Sequence, residues 1–96
     1  MPFARHVTLV ANTVSTFTLT DNSSAFEVIS RNGLADVYVS YDGTAAPGNP
    51  TVAGNDFDVI PAAAGAGIRV RRTGTLPIVV KVISAQATTV SFRAIA

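Results

Sequence analysis

The chain has 96 residues, no cysteine, a formal net charge of +1 and a mean hydropathy of +0.38. This argues against a second domain, a disulfide framework or a thiolate metal site, and against a net field strong enough to gather nucleic acid or an anionic membrane. Charged residues make up 14%, against roughly 25% in an average soluble domain, so the chain is expected to hide part of its outside on a partner.

Residues 1–96 are read as one domain, in which residues 1–6 form an extended N-terminal arm. Met1–His6 holds one arginine and no apolar stretch of the kind a secretory leader needs. Strand signals follow, carried by Val, Ile, Thr, Phe and Tyr in alternation. The first is Arg5–Ala11, with Val7, Leu9 and Ala11 on one face. The second is Ser15–Thr20, with Phe17 and Leu19 inward and Thr16, Thr18 and Thr20 outward. Ala25–Arg31 and Asp36–Tyr41 come next, and Asn32-Gly33 between them predicts a hairpin, because both positions tolerate positive φ. Asp42-Gly43 ends the fourth strand and leads into a long loop, Thr44–Asn55, rich in Gly, Pro, Ala and Asn. Loops of this length are often partner-facing.

Asp56–Pro61 predicts a fifth strand with Phe57 and Val59 inward and Asp56 and Asp58 outward. Ile68–Arg72 predicts a sixth, with Ile68 and Val70 inward and Arg69 and Arg71 outward. After a turn at Thr73-Gly74, Leu76–Ala85 is apolar on both faces, which marks a central strand or one pressed on a neighbour. Gln86-Ala87 leads into Thr88–Ile95, with Val90, Phe92 and Ala94 inward. Eight short strands at regular spacing predict an all-β fold, a single antiparallel β-sandwich of the jelly-roll or immunoglobulin-like kind, with a small β-barrel as the alternative. No apolar run approaches the ~20 residues of a membrane helix.

The residues suited to chemistry are few. His6 is the one histidine, and no Gly-x-Ser-x-Gly elbow accompanies it. Asp42, Asn55, Asp56 and Asp58 offer hard oxygen ligands, but their spacing matches no defined calcium loop. Glu27 is an outward position between Phe26 and Val28, and no acid falls on a core face. Gly65-Ala66-Gly67 precedes a strand rather than a helix, so it reads as a turn and not a phosphate loop. Asn22-Ser23-Ser24 fits a glycosylation pattern, which has no meaning without secretion. Arg69, Arg71 and Arg72 form the basic cluster, which Lys81 or Arg93 can extend. The chain is therefore expected to be neither an enzyme nor a cofactor or metal binder.

Three stretches carry a resemblance. Val28-Ile29-Ser30-Arg31-Asn32-Gly33 leads into Val37-Tyr38-Val39-Ser40-Tyr41-Asp42-Gly43. Pro50-Thr51-Val52-Ala53-Gly54-Asn55-Asp56 and Val80-Lys81-Val82-Ile83-Ser84-Ala85 follow. Together they resemble small structural proteins of tailed bacteriophages, of the head-decoration or minor capsid type, over about residues 7 to 92. The resemblance implies a β-sandwich that binds the outside of the major capsid protein lattice, or another virion protein. It implies a multicopy or homo-oligomeric subunit that folds in the host cytoplasm and resides in the virion, with no nucleic acid or membrane partner. The expected contacts are Pro2, Phe3, Arg5 and His6 of the arm, Pro47 and Pro50 of the long loop, and Arg69 and Arg71 as charge partners. The alternative is a carbohydrate-binding module that presents Tyr38 and Tyr41 to sugars.

Overall fold

The computed structural model describes residues 4–19, 24–42, 47–52, 54, 58–71 and 77–95. Among these residues the chain forms eight strands and no helix: β1 (Ala4–Thr8), β2 (Ser15–Leu19), β3 (Ala25–Ser30), β4 (Val37–Ser40), β5 (Asp58–Ile60), β6 (Gly67–Arg71), β7 (Ile78–Ser84) and β8 (Thr89–Ile95). Pairing is antiparallel throughout and nested. β1 joins β8, β2 joins β7, β3 joins β6, and β4 joins β5. Two further ladders, β3 with β8 and β4 with β7, complete two four-stranded sheets. Their orders are β1-β8-β3-β6 and β2-β7-β4-β5, the arrangement of a jelly roll.

Alternation explains why these residues become these strands. Inward positions Phe26 and Val28 on β3, and Val90 and Phe92 on β8, are fully buried against Phe17, Val37, Val39, Ile60, Val80 and Val82 of the second sheet, and Ala94 of β8 is buried with Leu19 and Ile78. Rings tie the layers together. Phe17 of β2 stacks on Phe92 of β8 with centroids 4.8 Å apart, and Phe92 in turn meets Phe26 at 5.8 Å. Tyr41 sets its edge on Phe26 at 4.8 Å. Such pairs add about 0.5–1.5 kcal/mol each beyond the burial of their area.

Several sequence expectations are corrected. Asn32-Gly33 makes no hairpin, because β3 and β4 lie in different sheets and the segment crosses between them. Gly33 is still required there. It sits at φ +61°, and an added Cβ would fall 2.5 Å from the backbone nitrogen of Ala64. β1 ends at Thr8, so Ala11 is exposed beyond it while Leu9 remains buried. The phase of β5 is shifted by one. Ile60 pairs with Val37 and is buried, whereas Val59 pairs with Tyr38 on the outer face and is exposed. The expected arm is shorter than six residues, since Ala4, Arg5 and His6 belong to β1 and pair with β8. Thr20, Asn22, Asp56, Phe57, Arg72, the Thr73-Gly74 turn and Leu76 lie outside the described residues.

Candidate functional site

Three surfaces stand out among the described residues: the outer face of each sheet, and the end of the sandwich that holds residues 9–14, 31–36, 61–66 and 85–88. On the first sheet, register brings Glu27 of β3 between Arg69 of β6 and Arg93 of β8. Arg69 Nη2 donates to Glu27 Oε2 at 3.3 Å and Arg93 Nη2 to Glu27 Oε1 at 3.0 Å. Arg69 was expected to seek acids on a partner; here an acid of its own sheet engages it. Arg71 is exposed at the next outward position, opposite Ala25. Arg5 is exposed on the edge strand β1.

Beside that ion-paired row lies a hollow of about 390 Å3. Its centre is the pair Ser91–Ile29, with His6 next to Ser91 on β1 and Gly67 next to Ile29 on β6. His6 Nδ1 is 2.6 Å from Ser91 Oγ, and Arg31 Nη1 donates to the same oxygen at 3.3 Å. The hydroxyl has two lone pairs, so it can accept from both the guanidinium and an imidazole protonated at Nδ1 and keep its own proton to donate. Sequence reading placed His6 in an arm; the β1–β8 ladder makes it part of a polar cluster.

The second sheet's outer face is treated differently. Ser40 and Lys81 are paired outward positions, and residues 47–49 of the long loop lie on them. Ser40 Oγ donates to the Gly48 carbonyl at 2.6 Å. Lys81 Nζ donates to the Pro47 carbonyl at 3.1 Å and to Asn49 Oδ1 at 3.0 Å. Pro47 and Pro50 are buried by this folding back, so neither ring stands out as a contact. Residues 44–46, 53 and 55 of the expected contact loop lie outside the described residues, as do Pro2 and Phe3. Tyr38 does face outward, half-buried in a row with Val59 and Ile83. Tyr41 packs against Phe26 instead of offering a sugar platform.

The third surface was not legible in the sequence. All four crossings of this end follow from the strand order: 9–14, 31–36, 61–66 and 85–88. They are bonded into one layer. Leu9 N donates to the Thr88 carbonyl and Asn12 N to the Ser84 carbonyl. Thr89 N donates to Asn32 Oδ1 at 3.1 Å, Gly65 N to the Ser30 carbonyl at 2.7 Å, and Ala62 N to Asp36 Oδ1 at 2.9 Å. Buried Ser84 and Thr88 hydroxyls pair at 3.0 Å beneath it. Asn12 takes φ 58°, a left-handed turn that asparagine tolerates.

What this layer shows to the outside is mixed: exposed Asn12, Thr13, Asn32 and Gln86 lie among short apolar residues. Val10 is 65% exposed and Leu34 57%, the highest values among the exposed large hydrophobic residues. The same crossings carry exposed alanines at 11, 62, 63, 64, 85 and 87. The two charges in these crossings are already occupied, Arg31 with Ser91 and Asp36 with Ala62.

Among the described residues no group of three or more His, Cys, Asp or Glu gathers in one place, and no helix is long and apolar enough to cross a membrane. No family model matches the chain, and no curated protein is significantly similar to it. A solved structure that is similar in fold is a de novo designed double-stranded β-helix determined in solution by NMR. It is 10% identical with a TM-score of 0.56, and the match covers 97% of this chain and 94% of the designed one. A likeness at that identity speaks to fold alone: the protein is an antiparallel jelly-roll sandwich.

Proposed function

We propose that the protein is a structural subunit of a virion, a capsid decoration or cementing subunit that sits end-on against a lattice of major capsid proteins. The observation that carries this reading is the end layer. It combines exposed Val10 and Leu34 with a field of alanines, and its backbone is held by bonds between crossings. A preorganised surface binds with little ordering cost. Large exposed hydrophobic residues on such a surface are natural anchors. The resemblance of residues 7 to 92 to small phage structural proteins supports the same reading. Many copies on one shell let modest contacts add up, and binding only the assembled state stabilises that state by mass action.

The contact is thereby moved from the long loop and the arm to the opposite end of the sandwich. The test is co-sedimentation with shells assembled from a tailed-phage major capsid protein. The double variant Val10→Glu, Leu34→Glu is expected to melt within about 3 °C of the parent, since both side chains are exposed. It should attach at least about tenfold more weakly. Unchanged coating by that variant, or parent protein that stays in the supernatant, overturns the proposal.

A further inference from the structure

The hollow on the first sheet borders the end layer, with which it shares Arg31 and Gly65, and its chemistry is specific. Its floor is Ile29, next to two positions without side-chain bulk, Gly65 and Gly67. Gly67 is held to glycine by space, because a Cβ there would meet the Val28 carbonyl at 2.6 Å and Ile29 Cγ1 at 2.9 Å. Arg31 and Arg93 lie one outward position to either side of the Ser91–Ile29 pair, about 6.5–7 Å along the strands. Both reach the hollow, as do His6 and Ser91, and no carboxylate lines it. Glu27 accepts from Arg93 through Nη2, which steadies that guanidinium and leaves its remaining N–H groups as donors. Among the described residues no acid lies within ion-pair distance of Arg31, whose guanidinium bonds the Ser91 hydroxyl.

We propose that this hollow binds a phosphate-type dianion carried by a small molecule, with Arg31, Arg93 and Ser91 on the oxyanion and Ile29 under the attached body. Two guanidinium groups supply two positive charges and a set of fork-shaped donors, which match a tetrahedral dianion better than a single carboxylate. Ser91 is 93% buried and already fixed between His6 and Arg31, so its hydroxyl is positioned before any ligand arrives. The volume is at the small end of the range for small-molecule sites. That limits the ligand to an anionic group with a modest body.

The experiment is an NMR titration of the full chain with sodium sulfate, a dianion at all working pH values, at ionic strength held constant with sodium chloride. Saturating shifts are expected at the Ser91, Ile29 and Gly65 amides, with tighter binding of phenyl phosphate. Arg31→Gln and Ser91→Ala should each weaken binding about tenfold or more, while Arg71→Gln, which removes the same charge outside the hollow, should change it less than about twofold. Three results overturn the proposal: shifts that do not saturate below about 50 mM, equal loss in Arg71→Gln and Arg31→Gln, or acetate binding as tightly as sulfate. A single-stranded oligonucleotide that binds more tightly than phenyl phosphate and depends on Arg71 also overturns it, since the surface would then be a diffuse polyanion track.

Discussion

The two sheets solve the same problem on their outer faces by different means. The first sheet faces out with charge, a row in which Glu27 bridges Arg69 and Arg93. The second carries threonines at 16 and 18, Val79, Tyr38 and Ile83, and one lysine in its strands, whose ammonium group the chain's own loop occupies. One face is hydrated, and the other is partly roofed by residues 47–50. This accounts for much of the low charge content: a face covered from within needs few charges. On the proposed reading the end layer is the face that meets a partner, because its two charges are already hydrogen-bonded and no described loop roofs it.

The comparison can be broken hardest at the centre. Phe92 touches both Phe17 and Phe26, so Phe92→Ala removes the joint between the sheets. A loss of about 3–5 kcal/mol is expected, which is a large part of the total for a small domain. Chemical denaturation measures it, and hydrogen exchange should show protection falling in both sheets together. Protection lost in the first sheet only would mean that the layers are stabilised separately.

A smaller effect tests the roof. Ser40→Ala deletes the hydroxyl that holds the Gly48 carbonyl and should cost about 1 kcal/mol. Faster proteolytic cleavage within residues 47–52 should accompany it. Unchanged cleavage would show that the prolines, not the polar anchors, hold the loop down. The smallest effect tests the charged face. Glu27→Gln leaves two arginines facing a neutral amide, and a loss of about 0.5–1 kcal/mol is expected at low salt. It should shrink as salt screens the pair. A salt-independent loss would assign the role of Glu27 to packing.

Much of this arrangement is written in single strands. The alternation of Phe26, Val28 and Ser30 with Glu27 and Ile29 places inside and outside correctly, as it does for Arg69 and Arg71. The two-faced apolar β7 is indeed central, between β2 and β4. What a single strand does not carry is its neighbour. Asn32-Gly33 has the local chemistry of a tight turn, yet its neighbours pair with strands far along the chain, so tertiary packing overrides the dipeptide. In β5 a three-residue edge strand offers too little alternation to set its phase, and the buried Ile60 decides it. The hollow needed His6 and Ser91 from two strands to meet Arg31 from a crossing, which no spacing announces. The end layer was hidden in alanines that read as turn filler, because its signal is divided among four crossings.

The nested pairing has a consequence for synthesis. β8 fills the slot between β1 and β3, so a nascent chain still lacking it has two strands waiting on either side of a gap. The first sheet therefore closes only when the last strand has left the ribosome. Until then exposed strand edges are open to wrong partners. The interval between translation and closure of the first sheet is the stage at which chaperones have most to protect.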